Sequence, residues 1–245
     1  MPTAISVHSL QKTFDRQIAI DGLSFEVDTH EFVAIVGPSG CGKSTTLRIV
    51  AGLERPSAGT VRASGETVDG PIGNAAMVFQ APVLLPWRRT LSNVLFAAEM
   101  RGRRPGAFRE RAKDLIALTG LDGFEHSYPH ELSGGMQQRV AMCRALLLDP
   151  TLLLMDEPFG ALDVMTREKM GFELQRIWSE TKNTVLFVTH SITEAVLLSD
   201  RVIVMTPRPG RVKAVVPVDL ARPRDVGTLK DPAFVELCAT VREAL

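Results

Sequence analysis

The chain has 245 residues, 45% of them hydrophobic and 23% charged, enough to bury a sizeable core in one large α/β domain or two small ones. Basic and acidic residues number 28 each, and the resulting net charge of zero argues against a nucleic-acid binder, which carries a basic excess. Cys41, Cys143 and Cys238 follow no metal-ligand spacing and suit reduced cytosolic thiols, no run approaches a membrane-spanning helix, and residues 1–10 lack a signal-peptide pattern.

In chain order, residues 5–8, 18–20 and 23–27 read as three short strands separated by turn signals such as Asp21 before Gly22. Phe14 falls in the first loop, where pattern alone makes it a core aromatic and a platform for a nucleotide base is the alternative. Residues 32–36 are an uninterrupted apolar run, read as a buried strand, and residues 46–51 read as a helix closed by Gly52. Between them stand Gly37, Pro38, Ser39, Gly40, Cys41, Gly42, Lys43, Ser44 and Thr45. Strand, glycine loop and helix together fit G-x-x-x-x-G-K-[ST], the phosphate-binding loop. Its glycines let backbone N–H groups converge on an anion at the positive end of the new helix. Lys43 adds a mobile cation for the outer phosphates, and the Ser44 hydroxyl suits a magnesium ion.

Residues 55–73 are rich in turns, with a short strand around residues 60–62, and residues 75–79 form another apolar strand ending on Gln80. Two prolines keep residues 81–87 out of regular helix or central strand. Residues 90–119 read as two helical pieces broken near residues 102–106, and Arg101, Arg103 and Arg104 as a solvated loop. Ser133 is the expected N-cap of a helix running to about Leu148, and Gly134 and Gly135 expose backbone N–H groups at its start. That makes a second anion-binding helix end, with a flexible cap as the plainer alternative.

Residues 152–155 read as a buried strand running into Asp156 and Glu157, followed by a loop to Asp163 and a helix over residues 165–180. A strand over residues 185–189 ends on His190, a short helix covers residues 192–198, and residues 201–205 and 212–218 are strands, the second at an edge. The tail carries one peripheral helix over residues 232–245. Gly37, Gln80, Asp156 and His190 each follow an apolar strand. In an open parallel α/β sheet, ligands bind outside the carboxyl ends of the strands. Singly, Asp156 and Glu157 could start a helix and His190 could cap one. Together the four strand ends make a site for a phosphate, a metal and a water.

With these motifs in this order, nearly the whole chain resembles the nucleotide-binding subunit of ATP-binding cassette transporters. Residues 37–45 match the Walker A motif, residues 152–157 resemble Walker B, and residues 132–136 resemble the cassette signature. Gln80 falls at the Q-loop, residues 161–163 at the D-loop and His190 at the switch histidine. Three positions depart from the family pattern: Met136 stands where glutamine is usual, Gly160 where serine is, and Phe14 where tyrosine or tryptophan is. The resemblance implies a P-loop NTPase fold with a mostly parallel core sheet, an N-terminal antiparallel β subdomain and a helical subdomain bearing the signature. It implies one ATPase domain over residues 1–245, with the helical subdomain near residues 90–150 and a peripheral C-terminal helix within residues 223–245.

The implied activity is ATP hydrolysis with Mg²⁺, by a head-to-tail homodimer with ATP between the two copies. Phe14 would stack on adenine. Lys43 and the loop amides would hold phosphates, while Ser44, Gln80 and Asp156 would serve the metal. Glu157 would act as general base, with His190 on the γ-phosphate. Ser133, Gly134, Gly135 and Asp163 would complete the site, the signature coming from the opposite copy. The Cys41 thiol is expected to react with maleimides and to be shielded by MgATP.

Residues 84–88 and 205–211 further resemble importers for nitrate, sulfonates and taurine. Implied partners are integral-membrane permease subunits and, indirectly, an extracytoplasmic solute-binding protein. The implied place is peripheral, on the cytoplasmic face of the inner membrane. Leu84, Leu85 and Trp87 are expected to be exposed and to receive the permease. The chain ends before the regulatory domain that some sugar-importer ATPases carry. A soluble cassette ATPase of DNA repair or translation predicts basic surface, a coiled-coil insertion or paired cassettes, none of which the sequence carries. A P-loop kinase or GTPase conflicts with the signature and with the missing N-K-x-D.

Overall fold

A computed structural model describes residues 2–245. In chain order the elements are β1 (Thr3–Phe14), β2 (Gln17–Asp28), β3 (Phe32–Val36), α1 (Lys43–Val50), β4 (Ala58–Ala63), β5 (Glu66–Thr67), β6 (Ala75–Val78), α2 (Thr90–Met100), α3 (Arg109–Leu118) and α4 (Gly134–Leu146). They continue with β7 (Leu152–Asp156), α5 (Val164–Thr181), β8 (Thr184–Val188), α6 (Ile192–Leu198), β9 (Arg201–Met205), β10 (Val212–Pro217) and α7 (Pro232–Ala244).

Two sheets organise the chain. One is antiparallel, in the order β2-β1-β4-β5; the other runs β10-β9-β3-β8-β7-β6 and is parallel except for the edge strand β10. The central strands β3, β7 and β8 are buried on both faces, which is why they read as unbroken apolar runs, while the edge strands β6 and β10 are partly exposed. Alternate residues of β3 separate cleanly: Phe32, Ala34 and Val36 join the core beneath the helices, and Val33 and Ile35 join the core around α1. The second core also holds Ile5, Leu10, Leu23 and Phe25, so α1 lies between the parallel sheet and the antiparallel one.

Helices α2, α3 and α4 bury Val94, Ile116 and Val140 in the same cluster as the sheet face. The break expected near residues 102–106 lies between α2 and α3. The tail helix α7 begins on Asp231, whose carboxylate accepts from the Ala233 amide, and buries Phe234 and Val241.

The N-terminal region departs from expectation. Two strands of 12 residues each replace the three short ones. Gly22, read as a turn, has φ +72° and sits at a register shift between the Leu10–Leu23 and Gln11–Asp21 pairs, so it is a bulge. The real turn is Asp15–Arg16, and Phe14 is the last residue of β1, paired with Gln17 across the hairpin, rather than a loop residue.

Candidate nucleotide-binding site

The strand ends converge as their sequence positions imply. β3, β8, β7 and β6 are neighbours in that order and parallel, so Gly37, His190, Asp156 and Gln80 all issue from one edge. Between β3 and α1 the loop turns sharply at Gly40 and Gly42, with φ of +77° and +99°. A Cβ on Gly42 would stand 2.7 Å from the Ile20 side chain, so the position excludes other residues by both conformation and space. Gly42 is the N-cap of α1, which leaves the first amides of that helix without intrahelical acceptors.

Lys43 is 6% exposed, and its ammonium donates to the carbonyls of Gly37 at 2.8 Å and Pro38 at 3.1 Å. The loop thus holds the cation in place with neutral oxygens, which leaves its charge available to an anion. The neighbouring cleft, about 300 Å³, is lined among others by Phe14, Ser39, Lys43, Ser44, Gln80 and Glu157. Phe14 is 45% exposed there, which removes the core role that pattern alone assigned to it. Two larger depressions lie elsewhere and contain none of the residues of the glycine loop.

The carboxylates differ sharply. Asp156 is buried at the end of β7 and accepts from the Ser44 hydroxyl at 2.7 Å through Oδ1, while its buried Oδ2 has no hydrogen-bond partner. Burial pushes its pKa up against the opposing pull of the Ser44 hydroxyl. An orphaned carboxylate oxygen beside a serine hydroxyl, with the Gln80 amide on the same cleft, is a set of hard oxygen donors that fits Mg²⁺. Glu157 stands with φ +47°, a conformation that costs a side-chain-bearing residue energy and turns it out of the strand line. Its Oε2 meets Gln80 Nε2 at 3.2 Å and His190 Nδ1 at 3.2 Å. The arrangement presents one carboxylate, oriented from two sides, to the cleft.

Other expected residues stand apart. Ser133 caps α4 by accepting from the Met136 amide, and Asp163 caps α5 by accepting from the Thr166 amide, which holds its pKa down. Gly135 packs on the Leu162 side chain, but none of Ser133, Gly134, Gly135 and Asp163 lines the cleft of its own chain. Cys41 corrects an expectation: its side chain is fully buried in the core around α1, its Sγ lying beneath Gly37, because the loop turns it inward. The whole residue is buried, it does not line the cleft, and its amide donates to the Pro38 carbonyl at 3.3 Å.

Sequence reading missed Arg208 as a cleft residue. It lines the cleft, with Nε donating to the Gly40 carbonyl at 3.2 Å and Nη1 to Gln17 Oε1 at 2.8 Å. Part of the signal was in the sequence, since β9 is an apolar strand followed by polar residues, but its place beside β3 comes from the topology.

Known proteins share this organisation. A family profile described as ABC transporter matches residues 20–160. An uncharacterized ABC transporter ATP-binding protein of Methanocaldococcus jannaschii is 51% identical over 229 residues, covering 92% of this chain and 86% of the relative. An aliphatic sulfonates import ATP-binding protein of Bacillus thuringiensis is 40% identical over 225 residues, covering 90% of this chain and 88% of the relative. Among solved structures, a dimeric bacterial ABC transporter cassette superposes with a TM-score of 0.81 at 31% identity, covering 89% of this chain and all of that one. A post-hydrolysis dimer with ADP and phosphate gives a TM-score of 0.80 at 30% identity, again covering 89% of this chain and 100% of that one. The chain therefore belongs to the ABC transporter family, as one of its ATP-binding, ATP-hydrolysing cassettes.

Proposed function

We propose that this cassette powers uptake of a small solute, of the nitrate, sulfonate or taurine kind, through a separate integral-membrane permease. The observation that carries the catalytic part is the meeting of Gln80 and His190 on one Glu157 oxygen beside the Lys43 loop. In this reading Phe14 stacks on adenine, and Lys43 with the amides of residues 37–45 holds the phosphates. Ser44, Gln80 and Asp156 hold Mg²⁺, which neutralises charge on the phosphates when bound. Glu157 orients the attacking water and takes its proton, and His190 contacts the γ-phosphate.

Ser133, Gly134, Gly135 and Asp163 act across a dimer. In support, the starts of α1 and α4 lie in one chain but only that of α1 borders the cleft, and the solved cassettes named above are dimers. The importer assignment is supported by the sulfonate-import relative. Among the described residues no helix is long and apolar enough to cross a membrane, and in this reading a permease subunit supplies the membrane path. The cassette then sits on the cytoplasmic face of the inner membrane, and an extracytoplasmic solute-binding protein feeds the permease from the other side.

The permease contact is placed beside residues 81–89. Trp87 is 71% exposed, as expected, but Leu84 and Leu85 are half-buried and Leu84 packs on the core. Buried Asn93 fixes the loop, accepting from the Leu85 amide at 2.8 Å and donating to the Leu85 and Arg88 carbonyls at 3.1 and 2.8 Å. A groove of about 640 Å³ between the edge strand β6 and helices α2 and α4 adjoins it. Affinity purification of the cassette from membranes, followed by reconstitution with the recovered permease, tests the reading. ATP-dependent uptake of a sulfonate or nitrate is expected. Recovery of DNA or ribosomes in place of a permease would refute the transport role, and uptake of a different solute would refute the solute class.

A further inference from the structure

We propose that Arg208, on the turn between β9 and β10, is a nucleotide-contact residue whose guanidinium takes the phosphate chain opposite Lys43. This rests on the reading of the cleft as the ATP site and adds an element that the four converging strand ends do not include.

The turn is held rigidly against the glycine loop. Within it, the Thr206 hydroxyl accepts from the Arg211 amide at 3.0 Å and donates to the Pro209 carbonyl at 3.0 Å. Outside it, the Gly210 amide donates to the Ala19 carbonyl at 2.9 Å, the Gly210 carbonyl accepts from Asp21 at 3.2 Å, and Arg211 pairs with Asp21. A Cβ on Gly210 would lie 2.0 Å from the Cys41 carbonyl oxygen, so the backbone of the turn is pressed onto the backbone of the phosphate loop. β9 is the parallel neighbour of β3, which brings the two loops to the same edge of the sheet.

Arg208 is thereby aimed from a fixed base. One nitrogen reaches Gly40 in the phosphate loop; another reaches Gln17, which pairs with Phe14 across the hairpin. The guanidinium spans the two parts of the cleft that would hold the phosphates and the base. Both of its acceptors are neutral oxygens, and among the described residues it forms no ion pair. Nη2 makes no hydrogen bond among the described residues and stands 3.8 Å from the position of a Cβ on Gly40. An uncompensated cation with a spare donor, tethered by its other nitrogens at the rim of a phosphate cradle, is suited to a charge-assisted hydrogen bond with a phosphate oxygen. Gln17 and Gly40 fix the geometry in advance, so little side-chain entropy is lost on binding.

Calorimetric titration of ATP, ADP, AMP and adenosine into the wild type, Arg208→Gln, Arg208→Lys and Lys43→Ala tests the contact. Arg208→Gln should weaken ATP about tenfold, weaken ADP less and leave adenosine unchanged, with Arg208→Lys recovering part of the loss. Raising the salt concentration should narrow the gap between wild type and Arg208→Gln. Equal ATP affinity in Arg208→Gln and wild type would overturn the contact. An equal proportional loss for all four ligands would also overturn it, because a purely structural clamp gives that result. Lys43→Ala keeps the two failures apart: a wild type whose ATP binding is indifferent to Lys43→Ala sinks the reading of the cleft itself.

Discussion

Asp156→Asn is expected to stabilise the nucleotide-free protein while removing its response to MgATP. Asp156 is 1% exposed, accepts only from Ser44 and leaves Oδ2 unpaired. Burial raises its pKa, and the neighbouring Glu157 charge adds to the rise against the pull of Ser44 and Arg48. A carboxyl whose folded pKa lies above its unfolded value binds its proton more tightly when folded. The stability it contributes is complete below the unfolded pKa and is lost as pH rises through the folded one. In its ionised form Asp156 is a desolvated carboxylate, and asparagine keeps the Oδ1 acceptor without the charge. An unsatisfied buried polar group costs about 1–3 kcal/mol, and the asparagine amide nitrogen lacks a partner too, so we take the low end, about 1 kcal/mol. For a chain of this size that is about 2–4 °C in Tm. Scanning calorimetry at pH 5 and pH 8, with and without MgATP, reads both effects. The advantage of the variant should shrink as the pH is lowered, because protonation of the wild-type carboxyl removes the desolvated charge. MgATP at a hundredfold excess over Kd should add about 2.7 kcal/mol to the wild type and little to the variant. A variant that melts below the wild type without ligand, or that keeps the MgATP shift, would refute the reasoning.

Glu157→Gln keeps the shape of a residue held by Gln80 and His190, so it should bind ATP normally and form an ATP-dependent dimer on size exclusion. Its hydrolysis should fall by about 10²–10⁴-fold, and near-normal turnover would remove Glu157 from the role of base. Cys41 should resist maleimide in the native protein, with or without MgATP, and react fully in denaturant; fast native labelling followed by mass mapping to Cys41 would contradict its burial. Trp87→Ala should leave the fold and ATP affinity intact but weaken assembly with the permease by about 2 kcal/mol, roughly thirtyfold, in a pull-down titration. Wild-type assembly and uptake in that variant would move the permease contact elsewhere.

The parallel sheet was legible because its physics is local. Residues 32–36, 152–156 and 184–188 are buried on both faces, so each announces itself as an apolar run with its polar residue at the end. Helix α4 was legible from Ser133, because a capping side chain sits at a fixed offset from the amide it satisfies, whereas Asp163, read as the end of a loop, turns out to cap α5 in the same way. The N-terminal strands were not, since Gly22 means turn or bulge according to the strand across from it. Phe14 needed the cleft to be seen as a surface residue. The inward thiol of Cys41 depends on the path of the loop, and the placing of Arg208 depends on β9 lying next to β3, which chain order does not reveal. Sequence gives strand ends; which ends are neighbours comes from topology.

That distinction bears on how the proposed site would be coupled to a permease. Gln80 reaches Glu157 on one side and leads into residues 81–89 on the other. Helix α4 holds that segment at several points. Gln138 donates to the Phe79 carbonyl at 2.9 Å, and Arg144 donates to the Val83 and Pro82 carbonyls at 2.9 and 3.2 Å. The same helix starts at Ser133 and Gly134, the residues assigned to the opposite copy's ATP. Its 13 residues make a rod of about 20 Å at 1.5 Å per residue. A shift of Gln80 toward or away from Glu157 would therefore be passed to a rigid element that starts at Ser133 and Gly134 and ends at the Val83 side of the groove. The buried Gln138 Oε1 has no partner, so this side chain is not optimised for stability alone, and its single donated bond is the one that ties the helix to the strand end before Gln80. If α4 takes two positions, one favoured by nucleotide at its start and one by a membrane protein beside its other end, the two sites would share a coupling free energy.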